Sequence, residues 1–565
     1  GMMNLNAGFN DKYGGEFLAE YKNPGFNSTF GVDYNRRFFP GTSEEENIYM
    51  YDGTTSYVNS LGDITRGRVS FGLRGSIDLN LTQQSFLSLG GRYGSREGER
   101  NALLAYSEWT ANSDDAENYQ NLIDRERGGD FYALNINYLN KLNNSGQELS
   151  ADFSYHYHNS DETTSSELLE AGEIFEGKQT SEFGPSWEIE SRLDYILPFS
   201  KSSKFEAGYQ GEIEISEENT GLAEYNSEIG SFESLPRYSN SVKYDENEQA
   251  LYAIYSGEMN NLGFQAGFRT EYTYRLIEVL TRDESFEIDR WDYFPSAHLS
   301  YKFSGGEQMM ASYTRRINRP RGWYLEPFET WSDANTVRIG NPALKPEYID
   351  SYELSAQTIF GKASLSSELY YRIENNKIEG IRSAYSENVT LRTYDNVGKD
   401  YSLGAEFLLN FDLVKNWNLN LMGNLYNYKI EGVLYDESFS RESFNWRTRI
   451  SNVIKFGKDL SLQLNAAYYS PSVSAQGERE GFFRSDLAVK KELLDNQLAL
   501  TLQIRDLINT ANYEFISEGP DFYSYNYFTR ESPMVMMNIR FTFNNFKQKR
   551  NRGGGEDGGF GDDEM

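Results

Sequence analysis

Residues 204–215 read KFEAGYQGEIEI. Phe205, Ala207, Tyr209, Gly211, Ile213 and Ile215 alternate with Glu206, Gly208, Gln210, Glu212 and Glu214. A strand sends successive side chains to opposite faces, so this stretch predicts a strand with one apolar and one acidic face. The same period returns in Val69, Phe71, Leu73, Ile77 and Leu79, in Trp417, Leu419, Leu421 and Leu425, and in Leu498, Leu500, Leu502 and Ile504. Such strands exceed the roughly five or six residues usual in globular sheets. They match the ~9–11 residues of a tilted membrane-spanning strand.

Connection lengths carry the second signal. Short turn-like segments lie at 22–26, 80–84, 141–146, 199–204, 258–262, 304–307, 360–362, 412–416, 457–460 and 493–496. Between them lie longer polar stretches at 37–65, 94–128, 159–184, 216–245, 280–288, 318–346, 375–397, 431–443, 471–481 and 508–531. A soluble β-sandwich array, the competing fold, has no reason to lengthen every second connection. An outer-membrane barrel does, with its turns periplasmic and its loops outside. With an opening segment at 3–9, the pattern predicts a closed, all-β antiparallel transmembrane barrel of about 22 strands over residues 1–546. Both termini are then periplasmic, and closure removes the exposed edges that lipid does not tolerate. The 379–396 stretch is long enough for an extra hairpin within a loop. The final KQKRNRGGGEDGGFGDDEM, residues 547–565, lacks apolar surface to bury and is expected to be a disordered periplasmic tail. The aromatic clusters at Tyr468-Tyr469 and from Tyr523 to Phe528 suit either interfacial girdles or ordinary cross-strand packing.

Composition narrows the function. The net charge of −31 argues against a nucleic-acid partner, which needs a cationic footprint. Zero Cys excludes disulfides, thiolate metal sites and a cysteine nucleophile. No apolar run is long enough for a transmembrane helix. No secretory leader precedes Met2-Met3, although an outer-membrane chain must be exported, so the sequence reads as a processed chain.

Two stretches carry a resemblance: YTRRINRP at 313–320 and GNPALKPEYIDSYELSA from Gly340. Together they resemble the outer-membrane β-barrel family of Bacteroidota TonB-dependent receptors. The second is similar to the family's NPxLKPE element, matched by Asn341, Pro342, Leu344, Lys345, Pro346 and Glu347. Weaker similarity follows at 394–407 and 487–510. The resemblance implies the outer membrane of a Gram-negative bacterium and a receptor that takes up a small solute. It also implies a plug domain and an energy-transducing TonB complex as partners. Strand pattern here begins within the first ten residues, so a plug and TonB box would require an additional N-terminal region. A plugless porin, adhesin or surface-complex component is the alternative. Pro342 and Pro346 withhold N–H donors and hold the preceding residues extended, which ends a loop and starts a strand. Lys345 and Glu347 read as anchors at the barrel rim.

No catalytic constellation emerges, and no cofactor or metal is expected. His156 and His158 face one side of a strand, but no third ligand accompanies them. His298 is isolated. The acidic clusters at 44–46, 114–115, 161–162 and 217–218 fall in outer loops and read as solvated charge. Residues 90–94, GGRYG, precede no helix pattern and are no phosphate loop. Arg315, Arg316, Arg319 and Arg321 are the basic candidates for lining the lumen, against an acidic plug or an anionic ligand, with rim salt bridges as the bland alternative.

Overall fold

A computed structural model describes residues 1–113 and 115–544. The 547–565 tail and Asp114 lie outside the described residues. Twenty-two strands form the wall. They begin with β1 (Met2–Gly8), β2 (Lys12–Lys22), β3 (Phe26–Tyr51), β4 (Thr54–Asn80), β5 (Ser85–Thr110), β6 (Glu117–Lys141), β7 (Glu148–Glu170) and β8 (Glu173–Ser200). There follow β9 (Ser203–Asn226), β10 (Asn240–Met259), β11 (Leu262–Val279), β12 (Glu284–Lys302), β13 (Gln308–Asn318), β14 (Glu347–Phe360) and β15 (Ala363–Ser386). The wall ends with β16 (Val389–Val414), β17 (Trp417–Leu434), β18 (Glu437–Phe456), β19 (Leu460–Tyr469), β20 (Phe482–Leu493), β21 (Leu498–Arg505) and β22 (Met534–Thr542). Each pairs antiparallel with the next, and β1 closes on β22 from Met2↔Thr542 to Gly8↔Met536. The Gly1 ammonium donates to the Phe543 carbonyl at 3.1 Å, so the start of β1 and the end of β22 meet at the short-turn end of the barrel.

The stretches read as loops are mostly strand. β3 and β4 stay paired as far as Tyr51↔Thr54 and turn through Asp52 and Gly53, both at positive φ. β7–β8 and β15–β16 do likewise, and the 379–396 stretch continues one hairpin instead of adding another. Backbone pairing needs no apolar side chain, so these ladders run on where both faces are wet. Irregular chain is concentrated in four connections: 227–239, 319–346, 470–481 and 506–533. The last holds a hairpin, Tyr513–Glu518 and Phe522–Arg530, whose second strand pairs with β3 from Gly41 to Tyr49. It extends the wall where the shorter β1–β2 hairpin stops.

The outward face of the shared ladder is apolar and bare. Leu193, Tyr209 and Leu251 lie in one cross-strand row, and Leu251 is 59% exposed. Leu354, Leu369 and Leu403 continue such rows on β14–β16. A soluble protein covers a surface of this extent; an encircling apolar band belongs against lipid. Phe71, Tyr93, Tyr132, Tyr157 and Trp187 form a chain of neighbouring rings across β4–β8, 5.1–6.4 Å apart, at the band's upper edge. Trp446 and Tyr468 meet at 4.5 Å on β18–β19, whereas the 523–528 aromatics belong to the added hairpin. Leu193→Arg should weaken folding into vesicles by about 2–4 kcal/mol, while Gln210→Arg on the lumen face should cost little. Titration of vesicle-refolded protein with denaturant checks the contrast. Equal losses would contradict the facing.

Candidate functional site

The mouth of the barrel at the long-hairpin end is crossed by residues 319–346, the connection from β13 to β14. It begins with Arg319 and Pro320, makes a 3-10 turn at Gly322–Tyr324, and folds inward instead of out. Leu325 and Val337 are fully buried, and Phe328 and Leu344 nearly so, against Val242, Tyr244, Ile277 and Val279 of β10 and β11. Each such side chain contributes on the order of 1.5–3 kcal/mol before the entropy of ordering is set against it. A small hairpin, Thr330–Asp333 with Thr336–Arg338, then pairs parallel to β16 at residues 390–392. From β8, Lys178 donates to the Ala334 carbonyl at 3.1 Å and lies 4.2 Å over the Trp331 ring. The segment is thus a fixed bridge joined to the wall on both sides.

Its polar centre is Glu326, only 1% exposed. Arg338 donates to Glu326 Oε2 at 3.0 Å, and the Tyr244 hydroxyl donates to Oε1. Arg338 also reaches Glu182 of β8 at 3.7 Å. Gly340 is required here: its N–H donates to the Glu326 carbonyl at 2.7 Å, and a Cβ would stand 2.6 Å from backbone atoms of Tyr324 and Glu326. Burial, then the neighbouring Glu326 and Glu182 carboxylates, push the Glu218 carboxyl up from 4.5 to about 9. Glu218 lies above the lipid band, so this proton belongs to the mouth. A carboxyl that keeps its proton in the closed bridge and loses it in a released one favours closure at low pH. That preference is complete below the ordinary carboxylate range and decays as pH rises toward about 9. Chymotryptic cleavage after Phe328, normalised to a free peptide at each pH, should therefore accelerate from pH 6 to 9.5. Glu218→Gln should flatten the profile; an unchanged slope would count against this linkage.

The motif residues form the joint where the bridge re-enters the wall. Asn341 donates to the Tyr394 carbonyl at 3.1 Å and accepts from the Ala343 N–H at 3.0 Å. The Tyr324 and Tyr394 rings stack at 3.8 Å. Pro342 is half-buried, Leu344 joins the apolar core, and Lys345, its side chain exposed, donates its backbone N–H to Asn396 at 2.7 Å. Pro346 is buried, and its carbonyl accepts from Asn376 at 3.1 Å. Glu347, 2% exposed, accepts from the Ile378 N–H at 2.7 Å and from Asn318, with Lys377 at 3.4 Å.

The four basic candidates do not share one patch. Arg319 ties the start of the bridge to the lumen wall through Glu248 at 2.8 Å and Glu271 at 2.6 Å. Arg315 lies over the Tyr348 ring beside Asp350, where β12 and β13 part above Ser296↔Thr314. Arg316 and Arg321 are exposed. His156 faces the lumen 3.4 Å from Glu188. Glu188, Glu190 and Glu212 bring carboxylate oxygens within 4.8 Å of one another on the adjoining strands. The GGRYG stretch is the middle of β5.

A closed barrel with an apolar outer band, a charged lumen and a bridged mouth defines an outer-membrane protein. Residues 140–543 match the outer membrane protein beta-barrel family, and the chain belongs to it. No match was found among curated proteins. Among solved structures it resembles the ferric yersiniabactin uptake receptor FyuA from Yersinia pestis, with a TM-score of 0.63 at 12% identity over 96% of this chain and 80% of that one. FpvA of P. aeruginosa, bound to heterologous pyoverdines, gives 0.61 at 12% identity over 96% and 71%. The copper transporter OprC gives 0.62 at 13% identity over 96% and 80%. At such identities the likeness is one of fold alone.

Proposed function

We propose that the chain is the barrel of an energised outer-membrane receptor for uptake of a small solute, oriented with its short turns and both ends in the periplasm. The observation that carries this reading is the ordered, inward-folded bridge over a wide, charged lumen. The bridge presents a shaped, charged surface at the mouth, which is what a receptor needs where solute is captured. Barrels of 22 strands are also the size class that encloses a plugged lumen. In this reading a plug gates the lumen, and an inner-membrane TonB complex acts through that plug. Residues of this chain bind and select, and no bond chemistry is assigned to them. The solved neighbours are named for different cargo, so fold alone does not pass a substrate to this chain.

The test is accumulation of labelled solutes by cells with and without the gene. Gene-dependent accumulation should disappear when the proton gradient is collapsed by an uncoupler. Gene-dependent entry that survives the uncoupler would replace this reading with passive diffusion through a porin.

A further inference from the structure

Where β12 and β13 part, the wall leaves a strand edge open. Their pairing runs from Lys302↔Gln308 only to Ser296↔Thr314, whereas β12 stays paired with β11 as far as Glu284↔Val279. The sequence explains the stop. Lys302 donates its N–H to the Asn261 carbonyl at 2.9 Å, on the β11 side. Successive residues of a strand turn their backbone groups to opposite edges, so the odd-numbered residues of β12 face β13. The first of them above the last pair is Pro295, which has no N–H to give.

From there the chain passes inward behind β12. Arg319 already lies against Glu271 and Thr273 of β11 at 2.6 and 2.8 Å. Tyr348 of β14 donates its hydroxyl to the buried Asp292, and the bridge packs against Phe286 and Ile288. The inward face of upper β12 is thus covered while its edge is not. Among the described residues, no backbone group pairs with those that Ser285, Glu287, Asp289, Trp291 and Tyr293 turn to this edge. All five residues are exposed.

An open row of N–H and C=O groups is a template for another strand, and the side chains beside it select which one. Trp291 and Tyr293, each 56% exposed, are the last aromatics on the outward face of β12 and mark the border of the lipid. Above them stand Asp289 and Glu287, with Glu278 on the neighbouring β11. A second copy of this chain does not fit. In one membrane β12 descends in every copy, so two such edges would meet parallel, with Glu287 and Asp289 facing their own counterparts.

We propose that the upper edge of β12 is a docking site for an extended, basic segment of another protein at the cell surface. The segment adds to the sheet as an antiparallel strand, on the track that β13 leaves. Residues directly opposite share a face, so lysine or arginine at alternate positions meets Asp289 and Glu287, and an apolar residue meets Trp291. The inference takes only its orientation from the uptake reading, and transport plays no part in it.

The test uses the whole chain in detergent and a short capped peptide of alternating threonine and valine, with lysines placed to face Asp289 and Glu287. Hydrogen exchange is read at single residues. In the free protein the amides of Glu287, Asp289 and Trp291 should exchange on the order of 100-fold faster than those of Ile288 and Arg290, which face β11. The peptide should slow the odd-numbered amides by about tenfold or more and leave the even-numbered ones unchanged. The same peptide with glutamates for lysines, or with its edge-facing N–H groups methylated, should give no protection. E287K/D289K should reverse the preference, so that the glutamate peptide protects and the lysine peptide does not. Slow exchange of the odd-numbered amides in the free protein would show that the edge is already paired. Absent protection by the lysine peptide, or equal protection by the glutamate or methylated peptide, would show that the edge does not select a basic strand. Each of these results overturns the docking site and leaves the uptake reading to the uncoupler experiment.

Discussion

Replacing Arg338 by methionine should release the bridge over the mouth while leaving the barrel intact. Arg338 is the cation that offsets Glu326, which is 1% exposed, and it also faces Glu182. Removing one partner of a buried ion pair costs about 3–5 kcal/mol, since the other charge stays behind without compensation. The apolar contacts of Leu325, Phe328, Val337 and Leu344 remain, but they are already set against the entropy of ordering the whole segment. The net margin is a small difference of large quantities, so a loss of that size decides it. The barrel is held by its closed ladders and does not use Arg338. Hydrogen exchange reads the outcome at two amides of the bridge, Gly340 bonded to Glu326 and Asn341 bonded to Tyr324. Their exchange should accelerate on the order of 100- to 1000-fold in R338M. Amides of the β11–β12 ladder should not change. Adding Glu326→Gln should recover part of the protection, because it removes the orphaned charge. Acceleration spread equally over both regions would mean that Arg338 supports the barrel and not the bridge.

The barrel was legible in the sequence because one physical requirement imposes one pattern. Lipid on one side and water on the other force the alternation seen from Phe205 to Ile215, and the short turns fall where the sequence places them. Past the lipid that requirement ends, so the upper halves of β3–β8 lose their alternation and read as loops. Signals for those hairpins were present all the same. Asp52-Gly53 is a strong two-residue hairpin signal, and Ala171-Gly172 closes β7 on β8 with both residues at positive φ. The motif at 341–347 was visible as a resemblance, but its partners were not: Tyr394, Asn396 and Ile378 become neighbours only through pairing of β14, β15 and β16. A cavity at the closure seam lined by six arginines was hidden for the same reason. Residues 37, 66 and 68 meet residues 484, 505 and 530 only because the barrel closes. The run Arg315–Arg321 drew attention by proximity in sequence, yet its members point to different surroundings.

Lys12 tests that closure most sharply. It opens β2 beside the first turn, yet it is among the most buried side chains of the described residues, with 0% of its side chain exposed. Its ammonium group is held by Glu531, by the Phe9 carbonyl at 3.3 Å and by the Phe39 ring at 5.0 Å. These contacts tie the top of the β1–β2 hairpin to the point where the 513–530 hairpin returns to β22. Lys12→Met should leave Glu531, only 11% exposed, without its cation. The expected cost is again about 3–5 kcal/mol, felt at the seam. Amides pairing the 522–530 strand with residues 41–49 should then exchange on the order of 100- to 1000-fold faster. The decisive comparison is K12M/E531L. Replacing a buried pair by apolar groups is often neutral or stabilising, so the double variant should regain most of the protection lost in the single one. If the double variant exchanges as fast as K12M, the pair holds the seam by its hydrogen bonds and not by mutual neutralisation. The electrostatic account of the seam would then be wrong.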